Sequence, residues 1–241
     1  MLGKNLKDKT VIIIGGSSGI GLSVATLAHE LGANVTLTSR DGSKALQVAI
    51  SIGPTVLGRA LEVDDEQAIN AFFDSFSTVD HVYIAAGNTK LGAVTEGDLD
   101  TNMAAFNTRL LGSLRIVRAV AQKMNPLGSI TFTGGVSTDR PIAGAWVSGL
   151  GTASAEQLAR VLVLEVPAIR FNAVSPGYTD TPMWDAIMGE NKASLLASLA
   201  ESLPVKKIAT PDEVASAVLF LMDNPSITGE VIHVDGGARL I

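Results

Sequence analysis

The chain reads as a doubly wound α/β protein: a parallel sheet of seven strands with helices on both faces. Three observations predict this. Apolar, β-branched runs alternate with helix-period stretches from one end of the 241 residues to the other. A glycine-rich turn, Gly15 to Gly21, joins the first such run to the first such helix. Only 17% of the residues are charged and the mean hydropathy is +0.32, as expected where helices bury both faces of a sheet.

Each element follows from its own pattern. Val11 to Ile14 is a short β-branched run and predicts a strand over 10–14. Leu22, Val24, Ala25, Leu27, Ala28 and Leu31 recur at helical spacing and predict a helix over 19–31. Further strands are expected at 34–38, 55–58, 81–85, 129–133, 169–174 and 231–234. Further helices are expected near 43–51, 65–77, 98–124, 147–165 and 211–222. The last has the clearest start: Thr210 as cap, Pro211 at the first helical position and Glu213 three residues past the cap. Such alternation implies right-handed crossovers. No linker or repeat interrupts it, so we expect one domain over 1–241. Segment 182–203 breaks the rhythm with an apolar stripe of Pro182, Met183, Trp184, Ile187, Met188, Leu195, Leu196 and Leu199. Insertions beyond a strand's carboxyl end are where substrate lids sit, so a lid is expected there; an extra packing helix pair is the plain alternative.

Composition excludes several classes of function. A net charge of −6 without a basic run argues against nucleic acid or an anionic membrane as partner. With no cysteine there is no disulfide, thiol nucleophile or thiolate metal site. His29, His81 and His233 are scattered without ligand spacing, so no metal is expected. The first ten residues are polar, the apolar run after them is too short for a signal sequence, and nothing approaches a membrane span. A cytoplasmic protein acting on a small molecule is the expectation.

The turn carries the chemistry. Gly15, Gly19 and Gly21 follow a G-x3-G-x-G spacing, with Ser17, Ser18 and Ile20 between them. Glycines let backbone pass close to a ligand, and the free N–H groups at the helix start attract an anion, most often a pyrophosphate. An ordinary turn is the competing reading.

With this loop, three further segments resemble the short-chain dehydrogenase/reductase family across essentially the whole chain. Ala86-Gly87 follows the fourth strand where the family has Asn-Asn-Ala-Gly. Asn172 to Pro182, containing Pro176-Gly177, is similar to the family's Pro-Gly motif, whose following residues contact the nicotinamide end. Ile227 to Gly237 is similar to its closing strand. The resemblance implies a single Rossmann-type domain, hydride transfer between nicotinamide and a carbonyl or alcohol carbon, and a homo-oligomer, either dimer or tetramer.

The cofactor follows from charge. A ribose 2′-hydroxyl is met by a carboxylate at the end of the second strand, whereas a 2′-phosphate needs a cation. Here Ser39 stands where NAD-dependent relatives carry Asp, and Arg40 follows. Its forked donors suit phosphate, although a solvated surface arginine is the alternative. Ser18 stands where many NADP-dependent relatives have a second basic residue. Glu62, followed by Val63, stands where the family faces adenine with Asp, unless it simply caps the third strand. We therefore expect NADP(H), held by Gly15, Ser17, Ser18, Gly19, Ile20, Gly21, Ser39, Arg40, Glu62, Val63, Ala86, Gly87, Pro176, Gly177, Thr179 and Thr181.

The resemblance breaks at the reaction centre. The family protonates an alkoxide with a Tyr assisted by a Lys four residues on, a Ser that binds the substrate oxygen and an Asn that organises a proton relay. Tyr83 and Tyr178 are the only tyrosines, and neither has Lys four residues on. Matching the family's pattern puts Gly135 at the Ser, Ser148 at the Tyr, Thr152 at the Lys and Arg109 at the Asn. A serine hydroxyl is a far weaker acid than a phenol of pKa about 10. Losing a positioned acid costs roughly 10²–10⁴-fold.

Arg109 is expected to stabilise an oxyanion or hold a substrate carboxylate, unless it pairs with an acidic neighbour. Ser148 and Thr133 are the other catalytic candidates, and Ser137 could supply the missing hydroxyl after a two-residue slip. Asp139, Arg140 and Trp146 either face substrate or are merely solvated or packed. Gly149 and Gly151 suggest a close helix contact such as the family's dimer interface. Three functions stay open: an NADP(H)-dependent oxidoreductase with unusual residues, a non-redox isomerase or lyase that kept the pocket, and a nucleotide-binding sensor or subunit without turnover.

Overall fold

The first strand, β1 (Thr10–Ile14), contributes to two cores at once. Ile12 and Ile14 enter one apolar cluster, Val11 and Ile13 the other, because successive side chains of a strand point to opposite faces. The computed structural model describes residues 5–87 and 90–241. After β1 the chain forms α1 (Gly19–Glu30), β2 (Asn34–Ser39), α2 (Gly42–Ile52), β3 (Leu57–Ala60), α3 (Glu66–Asp74) and β4 (Val79–Ile84). It continues through α4 (Leu99–Val120), β5 (Met124–Thr133), α5 (Trp146–Glu165) and β6 (Arg170–Pro176). The last elements are α6 (Met183–Met188), α7 (Lys192–Ser202), α8 (Pro211–Asp223) and β7 (Val231–Val234).

All seven strands pair in parallel, in the order β3-β2-β1-β4-β5-β6-β7. Ile69, Phe72 and Phe73 of α3, Ile116 and Val120 of α4, and Leu158 and Leu162 of α5 cover one face. Val24 and Ala28 of α1, Ala45 and Ala49 of α2, and Val214 and Val218 of α8 cover the other. The doubly wound architecture expected from the sequence is the one observed.

Several boundaries differ from those expected. The helix expected to reach residue 124 stops at Val120 and passes through a 3₁₀ turn at Ala121–Lys123. Pro126 favours an extended Asn125, and Met124 already pairs with Val79, so β5 begins five residues early. β3 starts at Leu57, since Val56 N–H still closes a turn onto Gly53. Segment 182–203 folds as α6 and α7.

Helix ends are closed locally. Asp41, Asp65 and Asp98 cap α2, α3 and α4, and Thr210 with Glu213 completes the expected capping box on α8. Each cap is worth about 1 kcal/mol. Buried Arg170 donates to the carbonyls of Leu127, Leu221, Met222 and Ile227, two of them in the last turn of α8.

His81, buried in β4 and hydrogen-bonded to Ser129 at 2.9 Å, is held neutral. Burial first, and then the nearby Arg170 charge, lower its pKa from 6.5 to about 4. The folded value lies below the unfolded one, so this stability is complete above about pH 6.5 and is lost as pH falls towards 4. The loss should amount to about 3 kcal/mol. Urea titrations across that range should show the slope in the unaltered chain and a flatter profile in His81→Gln.

Candidate active site

The strand order reverses between β1 and β4, and a cleft opens over their carboxyl ends. Two hollows of about 560 and 300 Å³ make it up, sharing Gly15, Ser18, Ala85 and Gly87. The glycine loop forms the shared wall. Gly15 adopts a φ of +86°, and a Cβ there would sit 2.9 Å from the Ala86 nitrogen. A Cβ on Gly21 would lie 2.2 Å from the Gly15 carbonyl oxygen. Ser18 precedes α1 with extended backbone but makes no side-chain cap, so the N–H groups of that first turn face the cleft without a cap of their own.

The smaller hollow runs outward beyond β2. Ser17, Ser39, Arg40, Glu62, Val63 and Ala86 line it as the sequence reading placed them. Asp41 is withdrawn from it: its carboxylate accepts from the Ser43 and Lys44 N–H groups as the α2 cap. Lys44, one turn into α2, lines the same hollow as Arg40 and was not foreseen. The signal was present, since a capping Asp41 places residue 44 in the first turn of the helix that starts beside Arg40.

Pro176, Gly177, Thr179, Thr181, Gly19, Ile20, Arg109, Thr133 and Ser148 all line the larger hollow. Met183, Trp184, Ile187 and Leu199 of α6 and α7 form its outer wall, whereas Leu196 is buried, Leu195 is exposed and the Met188 side chain lies outside the described residues. The stem of this segment is pinned, because Asp180 N–H donates to the Ala209 carbonyl and Ala209 N–H to that of Tyr178. Lys192 ties α7 back to Asp180 and Asp185 at 2.8 and 2.9 Å.

At the floor, Thr133 donates to the Ile84 carbonyl at 2.8 Å and hydrogen-bonds the Tyr83 hydroxyl at 2.9 Å. Burial pushes the Tyr83 phenol up to about 12. Arg109 is half-buried beside them, and burial lowers its pKa from the ordinary guanidinium range. The acidic partner weighed for it is missing, for among the described residues Arg109 has no hydrogen bond or ion pair. The Ser148 hydroxyl has no hydrogen-bond partner among them either.

The glycines around this floor have identifiable causes. A Cβ on Gly134 would lie 2.4 Å from Glu156 Oε1, and one on Gly135 would lie 2.9 Å from Thr152 Cγ2. Glu156, buried on α5, accepts from Gly135 N–H and from the Thr138 hydroxyl. Thr152 donates to the Gly149 carbonyl and lies 3.0 Å from the Ser137 hydroxyl. Gly151, for which a close helix contact was expected, meets Arg109 of α4. A Cβ there would lie 3.1 Å from Arg109 Cδ, so its missing side chain makes room for the guanidinium stem. Asp139 and Arg140 are also accounted for away from the cleft: Asp139 pairs with His233 at 3.0 Å, and Arg140 donates to the Ala238 carbonyl. Trp146 stands at the start of α5, outside the cleft lining.

The family model described as enoyl-(acyl carrier protein) reductase matches residues 15–239. The chain belongs to the short-chain dehydrogenase/reductase family. Among its relatives, carbonyl reductase family member 4 of Danio rerio is 30% identical over 97% of this chain and 99% of its own. A small-chain dehydrogenase solved in complex with NADPH is 30% identical, with a TM-score of 0.85 over 97% and 100% of the two chains. The MalC reductase/Diels-Alderase of Malbranchea aurantiaca is 25% identical, with a TM-score of 0.92 over 99% of each chain.

The Gly135–Thr152 contact makes a quantitative prediction for this short-chain dehydrogenase/reductase. Thr152 is buried and β-branched, so its methyl cannot swing away cheaply. Gly135→Ser should therefore lose about 1–3 kcal/mol in urea unfolding. Removing the methyl as well, in Gly135→Ser/Thr152→Ser, should recover most of that loss.

Proposed function

We propose that the chain is an NADP(H)-dependent oxidoreductase acting on a small carbonyl or alcohol substrate, with a reaction centre that departs from its family's Ser, Tyr, Lys and Asn. The carrying observation is the continuity of the cleft. Two cations beyond β2, an uncapped helix start and a pocket floored by Arg109 follow one another across the strand reversal. The relative solved with NADPH supports the same reading.

The cradle fits a dinucleotide, since side chains at Gly15 and Gly21 would close it. The α1 N–H groups would hold the pyrophosphate, and Arg40 with Lys44 the 2′-phosphate. Ser39 adds no negative charge there. Glu62 and Val63 would flank the adenine, while Ala86, Gly87 and Pro176 to Thr181 would flank the nicotinamide half. When bound, the reduced cofactor supplies the hydride.

The chain's own residues must then place the carbonyl and supply its proton. Ser148 is the better donor of the two expected hydroxyls, because the proton of Thr133 is engaged by Ile84. Serine is a weak acid, so positioning of the carbonyl over the floor must provide most of the acceleration. We assign α6 and α7 to a lid whose inner wall excludes water, with Lys192 as its tether. Exposed Leu111 on α4 and Leu150, Val161 and Leu164 on α5 offer an apolar face for a homodimer or homotetramer.

NADPH titrated into the purified chain should quench its tryptophan fluorescence and raise its melting temperature; no response to either dinucleotide would sink the proposal. Arg40→Ala/Lys44→Ala should weaken NADPH by roughly 10- to 100-fold, in keeping with two lost charge-assisted contacts, and leave NADH little changed. Equal weakening of both would remove the two cations from the 2′-phosphate site. Lys192→Met should raise KM more than it lowers kcat across a panel of carbonyl compounds.

A further inference from the structure

Among the described residues the larger hollow is lined by one charged side chain, and that charge has no hydrogen-bond or ion-pair partner. Its walls are apolar, from Leu91, Ile142, Met183, Trp184, Ile187 and Leu199, and Arg109 stands at the floor. No other Asp, Glu, Lys, Arg or His lines it among the described residues. The guanidinium is also deliberately accommodated. A Cβ on Gly87 would lie 2.7 Å from its Nε, and one on Gly151 would lie 3.4 Å from its Nη1. Two elements, the β4 turn and α5, leave their side chains out where it passes. Keeping a cation half out of water in an apolar pocket costs free energy that a bound anion offsets.

We propose that the substrate of this pocket is an apolar molecule bearing a carboxylate, and that Arg109 grips that carboxylate. The inference rests on the reading of the cleft as an NADP(H)-dependent reaction pocket and names the substrate class for it. The phosphates of the dinucleotide are provided for elsewhere, by the α1 start and by Arg40 with Lys44. Arg109 lies instead between Gly87 and Gly151, on the α4–α5 side of the sheet. A developing alkoxide is a poorer match than a carboxylate. It exists only in passage, whereas the guanidinium is charged throughout and cannot give up its proton. A permanent cation is neutralised in the resting complex only by a permanent anion, and the planar fork of arginine matches two carboxylate oxygens. The reducible carbonyl then lies on the Ser148 side, and the apolar body lies against α6 and α7.

The test uses the full chain saturated with NADPH and two unreactive probes of equal size, 4-phenylbutanoate and 4-phenylbutanamide, with binding read by calorimetry. The unaltered protein should bind the acid about tenfold or more tightly than the amide, in line with one charge-assisted pair. Arg109→Met should make the two probes equal while NADPH affinity stays unchanged. Arg109→Lys, which keeps the charge without the fork, should keep a reduced preference for the acid, and it serves if the methionine variant does not fold. Equal binding of acid and amide by the unaltered protein overturns the proposal, as does an undiminished preference in Arg109→Met. NADPH binding weakened in that variant as much as acid binding also overturns it, by assigning the guanidinium to the cofactor. If the unaltered protein does not bind NADPH at all, the functional reading fails and this proposal falls with it.

Discussion

The chain leaves β1 towards β2 and leaves β4 towards β5, so neither crossover can cover the gap between them. Everything at the site depends on that divergence. It forces a crevice at the carboxyl ends of two adjacent buried strands, where backbone N–H groups and loop residues converge without a helix above them. The glycines of the first loop exploit the crevice by bringing backbone within contact of the β4 turn. The cations beyond β2 and the guanidinium on α4 then mark its two ends.

Within that frame the floor of the cleft is an interlocking set. Gly134 and Gly135 leave space that Glu156 and Thr152 occupy, and Gly87 and Gly151 leave space for Arg109. Each glycine is matched to a particular side chain on a facing element. Adding a side chain at one of these glycines alone would therefore meet a steric obstacle, because packed interiors have no slack for an added methylene. The result is a pocket whose only charge among the described residues is positive and whose hydroxyls are partly bound to one another.

Much of this was legible in the residues. The seven strands, the capping box at Thr210 and the loop from Gly15 to Gly21 follow from local patterns of period, branching and hydrogen-bonding capacity. Arg40 was readable because strand ends and the residues after them are contiguous in the chain. Lys44 was missed, since its approach depends on how Asp41 caps α2 and turns the helix. The early start of β5 was also missed, because its pairing partner, Val79, lies 45 residues away in sequence.

The sequence by itself determined the fold, the place of the cleft and which side chains are available to line it, because these rest on periodicity and on residue identity. Only the tertiary structure decided how those side chains meet. Whether Arg109 is paired, whether Thr133 is free to donate and why Gly151 lacks a side chain are questions of distance between elements far apart along the chain. No local pattern encodes those distances; they arise when α4, α5 and the β4 turn pack against one another.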